Sequence, residues 1–118
     1  MTSEQMEKLS TRDIIETLPK RFKANEAEHE EGIFHFDIEG DDGGEYTVKV
    51  ENGICTVTEG FDGTPNCVIR AKDKHYKKVE TGQMKAQMAV MMGKLKISDL
   101  GEMIKFISFF KKLEEVDG

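Results

Sequence analysis

The sequence predicts an α+β fold in which about five helices cover one face of a five-stranded, mostly antiparallel sheet. Three observations lead to this class. Apolar and polar residues alternate between residues 33 and 72, with glycine-rich turns between the alternating segments, which is typical of half-buried strands. Apolar residues recur every three or four positions on both sides of that region, which is typical of amphipathic helices. A short alternating segment over residues 94–98 then predicts a last strand between two helices.

The composition fits one folded domain. The chain has 118 residues, of which 37% are hydrophobic and 34% are charged, and a chain of this length buries about two-thirds of the surface that its unfolded form exposes. We therefore expect a single domain over residues 1–118, with the polar residues 1–9 frayed. The formal charge of -6 argues against a nucleic-acid partner, since binding to phosphates requires clustered Lys and Arg.

The sequence also gives expectations about compartment and cysteines. The first seven residues lack the apolar segment of a signal peptide, and no apolar run reaches the roughly 18 residues that a membrane span needs. These features predict a cytoplasmic protein. In a reducing compartment we expect Cys55 and Cys67 to be buried thiols rather than a disulfide.

The N-terminal part of the chain predicts a helix that Ser10 or Thr11 caps. Its apolar residues at helical spacing are Ile14, Ile15, Leu18 and Phe22. Pro19 is expected to bend or end this helix at Leu18, so that residues 20–28 form a second short helical piece.

Turn signals divide the alternating region into four strands. The first begins at Ile33 and ends in the glycine-rich turn of residues 40–44. The second, over residues 46–51, is followed by Asn52-Gly53, the strongest short-range hairpin signal. A third strand over residues 54–59 and a loop over residues 60–65 precede a fourth strand over residues 66–72. In this order the four strands predict an antiparallel meander.

A methionine-rich helix follows, and Gly93 ends it. One face of this helix carries Met84, Met88, Met91 and Met92. Methionine is unbranched and polarisable, so such a face adapts to partners of varied shape. On the residues alone, the face is more typical of ordinary core than of a cavity wall, and both interpretations stay open.

The last helix is capped by Ser98 or Asp99, and its apolar stripe is wider than one sheet face requires. The residues of this stripe are Leu100, Met103, Ile104, Phe106, Ile107, Phe109 and Phe110. Such a helix is buried on two sides, paired with another chain, or seated loosely over a cavity. We favour the cavity.

The sequence contains no pattern for a metal site or a catalytic site. His29, His35 and His75 are dispersed, whereas zinc needs ligands at close paired spacings. The acidic turn that starts at Asp37 has Val48 where a calcium-binding EF-hand needs glutamate. No nucleophile motif is present. We therefore expect no enzyme activity, no cofactor and no metal.

Several segments together resemble the sterol carrier protein-2 domain. They are residues 46–50 (YTVKV) with Asn52-Gly53, residues 64–69, and most specifically residues 91–97 (MMGKLKI). The resemblance runs from about residue 14 to residue 113 in the same order of elements. It implies a five-stranded sheet covered by helices, with a hydrophobic tunnel between the layers that takes sterols, fatty acids, fatty acyl-CoA or related lipids.

The resemblance implies that the chain binds and transfers a hydrophobic ligand inside the cell. The alternatives are a protein-interaction module that uses the same apolar helical face, and an accessory domain of a lipid-active enzyme. The residues expected to line the tunnel are Met84, Met88, Met91, Met92, Met103, Ile104, Phe106, Ile107 and Phe110. We further expect a monomer that contacts membranes transiently, through the last helix or through Lys20, Arg21 and Lys23.

Overall fold

The computed structural model describes residues 1–117 and contains a five-stranded sheet with helices on one face. The strands are β1 (Gly32–Glu39), β2 (Gly44–Glu51), β3 (Ile54–Glu59), β4 (Cys67–Lys72) and β5 (Leu95–Ile97). The helices of this part of the chain are α1 (Ser3–Glu7), α2 (Thr11–Glu16), α3 (Leu18–Arg21), α4 (Asp73–Glu80), α5 (Ala86–Met91) and α6 (Leu100–Ile107), and a 3-10 turn spans Leu113–Glu115. The predicted fold class is confirmed, with six short α-helices where about five were expected.

The strand order is β3-β2-β1-β4-β5. Three neighbouring pairs are antiparallel, but β4 runs parallel to β1, with Phe34 opposite Cys67 and Glu39 opposite Lys72. The predicted meander is therefore wrong at its fourth strand, which pairs with β1 and not with β3. Alternation within a strand reports which face is buried, and it does not report which strand lies alongside.

Residues 60–66 connect β3 to β4 by crossing the outer face of the sheet. The amide of Asp62 donates to the Thr47 hydroxyl over 3.0 Å, and the Asp62 carbonyl oxygen lies 3.0 Å from Nε2 of His35. The His35 ring stacks on Phe61 with 4.7 Å between ring centroids. These contacts bury two polar side chains, His35 and Thr47, on the face that the helices leave open.

The inner face of the sheet carries the core. Phe34, Phe36 and Ile38 of β1 point towards the helices and are almost completely buried. In the register, Val48 of β2 lies opposite Phe34, and Ile69 of β4 lies opposite Phe36. The apolar alternation of the central strands therefore forms one continuous surface on which the helices pack.

Residues 1–9, which were expected to be frayed, instead contain α1. The side chain of Thr2 accepts a hydrogen bond from the Gln5 amide, and the Gln5 side chain accepts one from the Thr2 amide. This capping box starts α1, and Met6 of the helix is buried in the core. The polar residues that predicted fraying form the exposed side of this helix.

The first helix ends two residues earlier than the expected end at Leu18. The Ser10 hydroxyl caps α2, which ends at Glu16 with Thr17 as its C-cap. Pro19 then lies in the first turn of α3, where a missing N–H group leaves no hydrogen bond unmade. The second helical piece ends at Arg21 and does not continue to residue 28.

Arg21 is buried, although the sequence placed it in a basic cluster available to membranes. Its guanidinium Nη1 lies 2.9 Å from Oε2 of Glu80, and its Nε donates to the carbonyl oxygen of Lys111 over 2.9 Å. The Tyr76 hydroxyl donates to the same Glu80 oxygen over 3.1 Å, and burial raises the pKa of Tyr76 well above its ordinary value, so it stays protonated. This cluster ties α3, α4 and the segment after α6 together.

We expect Glu80→Gln to lower the free energy of unfolding by about 3 kcal/mol, because it leaves the buried Arg21 guanidinium without a counterion. Urea denaturation measures the change. Glu16→Gln is the matched control, since it removes the same charge from an exposed pair with Arg12 and should leave stability essentially unchanged. Equal effects of the two variants would show that the buried pair does not hold these elements together.

Candidate functional site

The helix α6 carries apolar side chains on two adjacent sides. The Asp99 carboxylate accepts a hydrogen bond from the Glu102 amide over 3.0 Å, so the helix begins where the sequence predicts. Met103 and Phe106 face the sheet and are buried. Ile104, in contrast, is 70% exposed. Leu100 and Ile107 lie on the same outer side as Ile104 and are about half exposed.

Phe106 lies between α6 and the sheet. Its ring centroid is 4.1 Å from that of Phe34 and 6.0 Å from that of Phe36. It is also 4.7 Å from the ring of Phe110, which in turn lies 5.6 Å from Phe22. Aromatic rings at these separations pack in contact. The protein's own side chains therefore occupy this end of the layer in which the sequence predicts a tunnel.

Two pockets on the surface lie elsewhere. One, of about 240 Å³, is lined by Lys49, Glu51, Asn52, Ile54 and Thr56. The other, of about 290 Å³, is lined by Arg12, Gly43, Gly44, Glu45, Tyr46, Glu59 and Gly60. Neither contains a predicted site residue, and neither opens between α6 and the sheet. The tunnel therefore stays a prediction.

The methionine-rich segment is arranged differently from the predicted helix face. α5 spans Ala86–Met91, so Met84 lies before the helix and Met92 follows it. Small residues face the core instead: Ala89 is completely buried, and Ala86 packs against the core as well. Met91 is 86% exposed. The methionine face therefore points largely to the outside of the molecule.

The nine predicted site residues fall into two groups. The inward group packs on or against the core and consists of Met84, Met103, Phe106 and Phe110. The outward group is exposed and consists of Met88, Met91, Met92, Ile104 and Ile107. Leu100, which the sequence analysis did not include among the site residues, belongs with the outward group. The excess width of the apolar stripe on α6 was the signal for this second, outer side.

Positive charge is concentrated near the outward group. Residues 70–96, which contain α4, α5 and β5, hold eight Lys or Arg residues and two acidic residues, a formal charge of +6 in a chain of -6. The pKa of His75 is lowered by desolvation and by the nearby charges of Lys94, Lys72 and Lys78. These three lysines therefore all lie near His75.

Both cysteines are free thiols in buried positions, as predicted. Cys55 and Cys67 lie on β3 and β4, which β2 and β1 separate, so they do not face each other across the sheet. Burial raises the pKa of Cys55 to about 12, which removes thiolate character at neutral pH. Within residues 1–117, no group of three or more His, Cys, Asp or Glu side chains is placed to hold a metal ion.

The solved structure of the palmitated sterol carrier protein SCP2L2 from Aedes aegypti is similar to this fold. The TM-score is 0.63 at 18% sequence identity, over 85% of this chain and 92% of that one. The fold is thus that of a sterol-carrier-type domain. The family model described as the SCP-2 sterol transfer family matches residues 14–111. The chain belongs to this family, and membership identifies it as a lipid-binding domain in the general sense.

Two curated relatives support the same assignment. Hydroxysteroid dehydrogenase-like protein 2 from Xenopus tropicalis is 36% identical over 77 residues, which is 64% of this chain and 18% of that protein. Sterol carrier protein 2 from Homo sapiens is 36% identical over 70 residues, which is 57% of this chain and 13% of that protein. The chain thus spans less than a fifth of the length of these curated relatives. No helix in residues 1–117 has the length and apolar character to cross a bilayer.

We expect the stability of the wild-type protein to fall more steeply than that of Cys55→Ala as the pH rises above 9. The Cys55 thiol has an ordinary pKa of 9.0 when unfolded and about 12 when folded. Its contribution to the free energy of unfolding is therefore fully present below pH 9. This contribution is lost as the pH rises from 9 towards 12, because only the thiol of the unfolded chain ionises in this window. The extra slope is at most about 1.4 kcal/mol per pH unit.

Chemical denaturation at intervals between pH 8 and 10.5 measures this slope. Thr56→Ala, an exposed change on the same strand, should keep the wild-type slope. Parallel curves for the wild-type protein and Cys55→Ala would contradict the prediction.

Proposed function

We propose that this chain binds one hydrophobic ligand, such as a fatty acid, a fatty acyl-CoA or a sterol, between α6 and the inner face of the sheet. It carries this ligand through the cytoplasm as a monomer and performs no chemistry on it. The observation that carries the proposal is the two-sided apolar character of α6 over the Phe34 and Phe36 side of the sheet. Family membership and the palmitated Aedes aegypti neighbour support it.

The energetics of such a site favour long apolar ligands. Burial of an acyl tail contributes about 0.8 kcal/mol per methylene, so about ten buried methylenes give useful affinity after the costs of association. The inward group consists of Met and Phe side chains, which make few directional contacts. We therefore expect weak discrimination among ligands of similar length.

Both ends of α6 are held by hydrogen bonds, which limits how it can open. Before the helix, the Ser98 amide donates to the carbonyl oxygen of Val68 over 3.0 Å. After it, the Lys23 amide donates to the carbonyl oxygen of Phe109 over 2.7 Å, and the Lys111 amide donates to that of Arg21 over 2.8 Å. A helix tied at both ends admits a ligand by rolling about its axis more readily than by swinging away.

A roll of α6 keeps the wall of the site apolar. It moves Phe106 away from Phe34 and brings Ile104 and Ile107 towards the ligand. The side of α6 that then faces the ligand is therefore still apolar. In this proposal the wall consists of the inward group together with Ile104 and Ile107. The exposed methionines at residues 88, 91 and 92 lie outside it.

A second candidate function is delivery of the ligand to an enzyme. It is favoured by the match to a small part of a much longer relative whose name is dehydrogenase-like. Size-exclusion chromatography with light scattering separates the two candidates, because a free carrier elutes as a lipid-bound monomer. Native mass spectrometry of protein from its own source then identifies the bound lipid. If the measured mass is always that of the chain alone, no lipid is bound, and this result would contradict both candidate functions.

We expect Ile104→Ser to weaken binding of a fluorescent fatty acid, NBD-stearate, by about tenfold without lowering the unfolding temperature. In the structure Ile104 is 70% exposed, so a loss of affinity requires that it faces the ligand when bound. Fluorescence titration without vesicles measures the affinity. Ile54→Ser is the matched control, since Ile54 is also exposed, at 61%, but lies on β3. Equal affinities of both variants would contradict the rolling helix.

Hydrogen–deuterium exchange tests the same motion. We expect the amides of residues 100–113 to exchange faster than those of β1 and β2, since the central strands are paired on both sides. Addition of palmitate should slow exchange in this segment selectively. Protection of residues 100–113 equal to that of the sheet, both alone and with ligand or vesicles, would show that α6 does not open.

A further inference from the structure

A row of four charged side chains crosses the outer face of the sheet, the face opposite α6. In the register, Asp37 of β1 lies opposite Glu45 of β2 on one side and opposite Arg70 of β4 on the other. Arg70 in turn lies opposite Lys96 of β5. All four alternate along their strands with side chains of the buried inner face, such as Phe36. Neighbouring strands lie about 4.8 Å apart, so the four side chains form one continuous row, which we call the charge row.

The order of charges in this row is unfavourable within a single chain. Glu45 and Asp37 are acidic neighbours at one end, and Arg70 and Lys96 are basic neighbours at the other. Like charges directly opposite each other on adjacent strands destabilise a sheet. Only the central pair is favourable, with Nε of Arg70 3.0 Å from Oδ2 of Asp37. Glu45 and Lys96 form no salt bridge with any residue of the described chain. The row therefore has one acidic end and one basic end.

The positions on both sides of the charge row extend this pattern. On one side, Glu39 of β1 lies opposite Lys72 of β4, and both are exposed. The β1–β2 half of this surface is therefore acidic, and the β4–β5 half is basic. On the other side, His35 lies opposite Val68. The Phe61 ring, which stacks on His35, is 45% exposed and supplies an apolar projection on the acidic half.

This surface is complementary to itself under one two-fold rotation. An axis parallel to the strands, above the line between β1 and β4, places the acidic half of each copy against the basic half of the other. Lys96 then lies over Glu45 of the second copy, and the reciprocal contact forms as well. The same rotation places Phe61 over Val68 of the second copy, because Val68 lies beside His35 in the register. An axis across the strands would instead place like charges over each other.

We propose that the outer face of the sheet is an interface between two copies of this chain. Each copy contributes three acidic and three basic side chains, so the interface is neutral and the net charge of -6 lies elsewhere. Exposed ion pairs are individually weak, and we therefore expect a transient dimer with a dissociation constant of about 100 μM. At lower concentrations the monomer of the proposed function predominates. The inference does not rest on that function, since both copies of α6 face away from the interface.

Sedimentation equilibrium between about 10 μM and about 1 mM protein tests the proposal. In about 0.1 M NaCl, which screens the long-range repulsion between the two copies, the weight-average mass of the wild-type protein should rise from that of one chain towards that of two. A mass that stays at that of one chain up to about 1 mM would overturn the proposal.

Two single charge reversals identify the contacts. In a homodimer, Glu45→Lys places like charges over each other, and Lys96→Glu does so with the opposite sign. Each variant should therefore weaken self-association by at least about tenfold. A mixture of the two variants restores opposite charges at both contacts and should form a mixed dimer of about the wild-type affinity. A mixture that does not associate, under conditions in which the wild-type protein dimerises, would overturn the assignment to the charge row.

Stability and net charge are controlled separately. Each reversal places opposite charges side by side within the sheet, next to Asp37 or Arg70, so the unfolding temperature should stay unchanged or rise. The matched controls are Glu7→Lys and Lys20→Glu, which make the same changes of charge at exposed positions of α1 and α3. Both should keep the wild-type association. An equal loss in the controls would show that association follows net charge alone and would overturn the interface.

The NBD-stearate titration separates this proposal from the proposed function. Glu45→Lys and Lys96→Glu should keep the wild-type affinity for the fatty acid, since the charge row lies on the other face of the sheet from Phe34 and Phe36. A wild-type protein that dimerises but binds no fatty acid contradicts the carrier function and leaves the interface standing. A protein that binds fatty acid and stays monomeric up to about 1 mM overturns the interface alone.

Discussion

The central position of β1 is the constraint on which the rest of this structure depends. β1 pairs with β2 on one side and, from Phe34 onwards, with β4 on the other, while Ile33 bonds to Asn66 just before β4. Its inner face buries Phe34, Phe36 and Ile38, and the rings of α4 and α6 pack on the first two of these. The position of β1 therefore fixes where the helical layer lies and which face of the sheet is available to a ligand.

The helical layer is attached to this sheet in two different ways. α3, α4 and the chain after α6 meet at a buried polar cluster around Arg21 and Glu80, whose partners are all supplied by the protein. α6 itself rests on the sheet through Met103 and Phe106 and presents apolar side chains to solvent as well. Directional contacts thus hold the frame and the two ends of α6, whereas the middle of α6 rests on the sheet through apolar contacts that have no preferred direction. That difference gives a physical basis for opening at α6 without loss of the fold.

The sequence features that were predicted correctly are those with a local cause. Asn52 and Gly53 both adopt positive φ angles, of 53° and 74°, and form the hairpin that their residue types favour. Asp99 begins α6, and Gly93, with a φ of 72°, follows the end of α5. In each case the relevant side chain or backbone conformation acts within a few residues of the signal. The segments that resemble the sterol carrier family likewise identified a family that the matched residues 14–111 confirm.

By itself, then, the sequence determined the α+β class, the positions of the five strands, the caps of α2 and α6, and the family. Only the tertiary structure decided that β4 runs beside β1, that Arg21 is buried, and that Met91 faces outward while Ala89 faces the core. Hydrophobic periodicity shows that a side of an element is apolar, but it does not show what covers that side. That choice depends on contacts between residues far apart in the chain, and for α6 those contacts cover one of its two apolar sides.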